Sequence, residues 1–177
     1  MLTLPDGRLK IAFEHAHGYA ADVTIRAGKS APLPPAPLRS ERAFDFSKVL
    51  YEIAGGGSIT VTRESLVDAV GGSVTVDVSP GASDVTVTDV DSGERLTLRQ
   101  SARGGSAALP SGGADPTLSA RIRVTGTLKD GLAAAASGLS WTRTIDEPRA
   151  TILLPPGFDV QAVSVPATVT ASRTDAS

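Results

Sequence analysis

The chain has 177 residues, 41% of them hydrophobic and 20% charged, with a formal net charge of -2 and no cysteine. Those values suit a folded chain with a substantial core, and they exclude disulfide frameworks, thiolate nucleophiles and cysteine-ligated metals. They also offer no general attraction to nucleic acid or to an anionic membrane, and the apolar runs fall well short of the ~20 residues a spanning helix needs.

Arginine outnumbers lysine, while alanine, glycine, valine and threonine are plentiful. That habit matches a GC-rich bacterial genome. There is no asparagine, hence no N-glycosylation sequon. Residues 1–7 show neither a basic n-region nor an apolar h-region. The expectation is a chain not exported by that route, or a mature or excised piece of a longer one.

Period-two alternation dominates the chain from its start. Residues 8–14 put Leu9, Ile11 and Phe13 on one face, and residues 22–26 turn Val23 and Ile25 inward. Residues 2–4 read as a strand stub before the Pro5-Asp6-Gly7 turn. Residues 29–39 are proline-rich and predict a semi-rigid strap. Residues 44–53 fit a helical turn followed by a strand, and Ile59 with Val61 marks another strand. Residues 62–71 begin with a capping threonine, space Leu66, Val67 and Val70 helically, and end on glycine, which predicts a short helix.

Over residues 72–100, Val74, Val76 and Val78, then Val85 and Val87, then Leu96 and Leu98 alternate. Turns at Ser79-Pro80-Gly81 and Asp91-Ser92-Gly93-Glu94 separate them, predicting a three-strand meander. Its expected core is Val74, Val76, Val85, Val87, Leu96 and Leu98, facing a second sheet. Residues 102–116 read as loose. Ile122 and Val124, Leu139 and Trp141, Ile152 and Leu154, and Val163 and Val165 supply the remaining strands.

Together these elements predict an all-β chain, an antiparallel β-sandwich with one or two short helices. The pattern resembles bacterial immunoglobulin-like and fibronectin-like modules in general architecture. One unit over residues 1–177 is expected, with amino- and carboxy-terminal strands packed together because neither set can bury its apolar face alone. A sub-division into 1–28 plus 149–177 against 44–146 is the alternative.

Several residue sets invite a chemical reading. His15 and His17, beside Glu14, would project from one strand face and make a weak metal chelate; a polar strand end is the plainer account. Asp89, Asp91 and Glu94 alternate like ligands of a calcium loop, without the spacing of an EF-hand. Asp91-Ser92-Gly93 also matches the bare triplet of aspartic proteases, but its flanks are charged and no second copy exists. A hairpin turn explains those residues better. No nucleophile elbow and no phosphate-binding glycine loop is present. Residues 34–39 fit the Pro-x-x-Pro-x-Arg pattern that SH3 domains read, although a spacer does so equally. Arg121, Arg123 and Arg143 suggest a basic stripe or a solvated sheet face, and Trp141 fits a core better than a stacking platform.

The expected function is therefore a non-catalytic structural or interaction module of a bacterial surface, secreted or assembly protein. No catalytic residue and no cofactor are expected, and the extracellular space or cell surface is the favoured location. Expected partners are a protein or a second copy through β edges, with no nucleic acid and no membrane insertion. One alternative is a carbohydrate-binding or accessory module of a secreted hydrolase, although aromatics make up only 4% of the chain. The second is a metal-dependent enzyme using His15 and His17.

Overall fold

The structure, a computed structural model, describes residues 9–14, 21–28, 47–70, 72–101, 104–109, 119–129, 131–135, 138–145, 147 and 149–171. Among them every regular element is a strand. These are β1 (Leu9–Glu14), β2 (Ala21–Gly28), β3 (Lys48–Ile53), β4 (Ile59–Val70), β5 (Ser73–Val76), β6 (Ser83–Asp89), β7 (Arg95–Leu96) and β8 (Leu98–Ser101). β9 (Gly104–Ala108), β10 (Ser119–Leu128), β11 (Leu132–Ala135), β12 (Gly138–Ile145), β13 (Arg149–Leu154), β14 (Asp159–Val163) and β15 (Thr168–Ala171) follow. The all-β expectation holds and the short helices are not seen.

Two sheets result. The long one runs β15-β1-β13-β3-β4-β10-β6-β7, with β5, β9 and β8 branching from the end of β4. The short one runs β11-β12-β2-β14. Within the long sheet, β1 lies between β13 and β15. β13 pairs with β3 in parallel, so the expectation of purely antiparallel pairing is corrected at that point. Parallel neighbours need a long connection, and here β4 to β12 intervene.

Two buried clusters form. In the first, Ile11, Val49, Tyr51, Ile53, Ile59, Val61, Leu128, Ile152 and Leu154 of the long sheet meet Val23, Ile25, Trp141, Ile145 and Val160 of the short one. Gly131 serves this core by closeness. Its φ is +84, and a Cβ there would lie 2.5 Å from the Thr142 carbonyl oxygen and 3.4 Å from Trp141 Nε1. In the second cluster, Val74, Val76 and Ala107 on the branch meet Val87, Leu96, Ile122 and Val124, with Ala69 where β4 joins them. All six residues expected in the meander core belong here, Val85 and Leu98 being only partly buried.

The meander itself is corrected. β5 pairs with β4 and β9, whereas β6 pairs with β10 and β7. Alternation tells which side chains go inward; it does not tell which strand lies alongside. The predicted helix over 62–71 is corrected too, because β4 runs through it as strand as far as Val70. β10 pairs with β4 over ten consecutive positions, from Ser119 opposite Asp68 to Leu128 opposite Ile59. Tertiary pairing overrides the local helical pattern. Inward-facing Arg63 and Ser65 had masked the period of two.

β9, inside the stretch read as loose, is a strand of glycine, serine and alanine held by β5 and β8. Residues 2–4 and the strap at 29–39 lie outside the described residues, as do residues 44–46 of the stretch 44–53 expected to be a helical turn followed by a strand, whose later part is β3.

Candidate functional site

The outer face of the long sheet carries a ladder of charge. Lys48 on β3, Glu64 on β4 and Arg123 on β10 are directly opposite one another in register. Lys48 Nζ lies 2.6 Å from Glu64 Oε2, and Arg123 Nε and Nη2 donate to Glu64 Oε1 at 2.7 and 2.5 Å. Hydrogen bonding by Lys48, more than its charge, holds the Glu64 carboxyl below its ordinary range, with Arg123 adding to the effect. One position along, the Thr62 and Thr125 hydroxyls are 3.4 Å apart. Beyond the ladder a cleft of about 200 Å³ opens, lined by Lys48, Glu64, Ser65, Leu66, Val90, Arg121 and Arg149.

The inner face holds a second polar group, at the seam between the two cores. Arg63 follows Val61 on the inward face of β4 and lies opposite Val49 and Val124. Its side chain is 13% exposed and pairs with Glu147, which is 5% exposed; Asp77 Oδ2 is 3.6 Å from Arg63 Nη1. A charge so placed needs a partner, since an uncompensated ion in a low-dielectric interior is costly. Arg143, inward on β12, stands 5.9 Å over the Tyr51 ring and donates to the Pro80 carbonyl at 2.8 Å. Tyr51 stacks obliquely on Trp141, with ring centroids 5.0 Å apart. Burial, and then the Glu147 charge, push the Tyr51 hydroxyl up to about 12. The connection from β5 to β6, carrying Asp77 and Pro80, is thereby tied to the first core.

The residues singled out in the sequence distribute as follows. Asp89, Asp91 and Glu94 occupy the β6–β7 hairpin turn. The Glu94 backbone carbonyl accepts from Asp89 N at 2.9 Å, and Asp89 Oδ1 accepts from Asp91 N at 3.0 Å. Gly93 sits at φ +74, the left-handed conformation that this turn requires. Asp91 Oδ1 faces outward to Arg121 Nε at 3.1 Å. Among the described residues, no group of three or more His, Asp or Glu side chains is placed to hold a metal ion.

Glu14 lies on β1 opposite Arg149, whereas His15 and His17 lie outside the described residues, as do residues 34–39. The three arginines do not form one stripe. Arg121 and Arg123 face outward on β10, while Arg143 faces the core. Trp141 is fully buried.

Sequence reasoning missed Arg63, Glu147 and Asp77. A signal existed, because Arg63 falls in phase with Ile59 and Val61 and thus on the buried face. No match is found to any model of a protein family or to any curated protein.

Proposed function

We propose that this chain is a non-catalytic structural or interaction module of a bacterial surface, secreted or assembly protein, of immunoglobulin-like general architecture. The observation that carries the reading is the open edge of the long sheet. β15 pairs with β1, and among the described residues nothing pairs with its other side. Val169 on that strand remains 36% exposed. An edge with unpaired peptide groups is a template for another strand. The partner is a protein strand, supplied by another protein or by a second copy.

Two further features support the reading. Charged side chains in the described strands are largely engaged with one another, as in Lys48–Glu64–Arg123, Arg121–Asp91 and Arg63–Glu147, which suits a rigid scaffold. Tyr51, Trp141 and Phe158 belong to the first core, so these rings serve packing before sugar stacking.

Sedimentation velocity over a hundredfold concentration range, alone and with extracts of candidate partner strands as synthetic peptides, tests the proposal. Association that Val169→Lys abolishes, with the melting temperature nearly kept, is the expected result, because a lysine blunts an edge. A chain that stays monomeric throughout and binds no peptide would remove the edge as the working surface.

A further inference from the structure

We propose that β1 and β2 form an exchangeable donor unit, which a second copy of this chain accepts between its own β13 and β15 and between its own β12 and β14. The product is a strand-exchanged dimer. Strand placement carries this. β1 is an inner strand of the long sheet and β2 an inner strand of the short one. β1 pairs with β13 from Leu9 opposite Leu154 to Glu14 opposite Arg149, and with β15 from Leu9 opposite Ala171 to Ala12 opposite Thr168. β2 pairs with β12 from Ala21 opposite Ile145 to Ala27 opposite Leu139, and with β14 from Ile25 opposite Val163 to Gly28 opposite Asp159. Each amino-terminal strand thus fills a slot whose two walls are carboxy-terminal strands. Among the described residues, no strand from β3 to β11 pairs with either of them.

An opened slot demands a replacement strand. Ile11, Val23 and Ile25 are fully buried, in one cluster with Trp141, Ile145, Ile152, Leu154 and Val160, and their withdrawal exposes that apolar surface to water. Among the described residues β14 pairs only with β2, and β15 only with β1, so both would lose their ladders as well. A second copy carries the strand pair that matches both slots in sequence, register and buried side chains. Exchange therefore keeps every ladder and every buried contact, which is what makes swapping an inexpensive route to a dimer. A reciprocal pair is the smallest assembly with no slot left open. The slots are inner positions of both sheets, whereas the outer side of β15 stays an edge in either form.

Chain connectivity permits both arrangements. Residues 29–47 join β2 to β3, and a connection of that length reaches at most about 60 Å, enough to seat the donor in its own slots or in a neighbour's. Closure within one chain acts at an effective concentration on the order of millimolar. Dilute chains accordingly close on themselves, and exchange competes as the chain concentration approaches that value. The ladder from β3 through β4 and β10 to β6 is the same in either form.

Cysteine trapping tests this on the full chain, which has no cysteine of its own. Thr24 on β2 lies opposite Thr142 on β12, with the two hydroxyls 3.1 Å apart, and directly opposite positions of an antiparallel ladder suit a disulfide. Equal amounts of Thr24→Cys and Thr142→Cys chains are mixed at micromolar to millimolar concentration, warmed to the foot of the thermal transition, cooled and mildly oxidised. A mixed covalent dimer is expected in excess over the self-dimers of either chain alone, rising with concentration until about half of the chains have exchanged in the millimolar range. Ala12→Cys with Thr151→Cys, opposite each other on β1 and β13, gives the same readout at the other slot if thermal melts show that the first pair disturbs folding. Val169→Lys in both partners is expected to leave the mixed dimer in place, which separates exchange from association through the β15 edge. The proposal falls if the mixed dimer never exceeds the self-dimers, if its yield does not depend on concentration, or if Val169→Lys abolishes it.

Discussion

The two cores are filled in different ways. The first lies between two sheets and takes Trp141, Tyr51 and a set of isoleucines and leucines. The second lies where one sheet doubles back through β4, and it takes valines and alanines with Ile122 and Leu96. Ala69, Val74 and Ala107 sit side by side on β4, β5 and β9, close to the strand that both layers share. Large side chains fill the space between separate sheets, and small ones fit where the layers converge on a common strand. The first core, with the larger side chains, is therefore expected to carry more of the stability.

Truncation is the most direct way to break that comparison. Trp141→Ala is expected to cost about 3–5 kcal/mol, and Val87→Ala about 1–3 kcal/mol, in urea unfolding. Equal costs would mean that the second core matters as much as the first. The seam ranks beside the tryptophan. Glu147→Ala takes from Arg63 its buried partner and leaves it the exposed Asp77; it is expected to cost about 3–5 kcal/mol, whereas the paired replacement Arg63→Met with Glu147→Leu is expected to be far milder. If the single and the paired change cost the same, the ion pair is not what closes the seam.

How much of this was readable beforehand follows from what alternation encodes. The inward residues of β1, β2, β5, β6, β12 and β13 were legible because Ile11, Val23, Val74, Val87, Trp141 and Ile152 repeat with a period of two. Strand neighbours were not, since pairing of β5 with β9 and of β3 with β13 depends on residues far apart in sequence. β4 was misread at Arg63 and Ser65, polar residues in phase with Ile59 and Val61, and the partners of Arg63, Glu147 and Asp77, are distant in sequence. β9 had no large apolar residue to mark it, being glycine, serine and alanine. Of the candidate sites, the Asp89–Glu94 turn was legible from its turn chemistry, while the cleft joins β3, β4, β10 and β13 and has no local signature.

Tyr51 sharpens the picture of the first core through pH. Its hydroxyl is raised from 10.0 to about 12 by burial and by Glu147. A raised folded-state pKa gives a contribution fully present below about pH 10 and lost as pH rises toward 12. Stability relative to Tyr51→Phe is therefore expected to fall by about 2 kcal/mol across that window, read from urea midpoints at pH 9 and pH 11.5. A constant difference would show that the hydroxyl is already solvated.

The smallest effect belongs to the outer ladder. Lys48→Ala is expected to cost less than about 0.5 kcal/mol at pH 7, because the pair is exposed and screened. Glu64 has a depressed carboxyl pKa, so this contribution exists above the ordinary glutamate range and disappears as pH falls through the folded value. A cost that persists in 1 M salt, or at pH 2.5, would contradict a charge-based role.

β4 and β10 run through both cores: Ile59, Val61 and Leu128 belong to the first, Ala69, Ile122 and Val124 to the second. Ten residue pairs of unbroken ladder join β4 and β10, and on that ground the two cores are expected to unfold as one cooperative unit. The chain has a single tryptophan, and Trp141 lies in the first core, so its fluorescence reports that core while far-ultraviolet circular dichroism reports both. Urea unfolding followed by the two signals on the same samples is expected to give coincident transitions with one midpoint. A dichroism transition that runs ahead while Trp141 fluorescence stays native would contradict it, and would show the second core unfolding on its own.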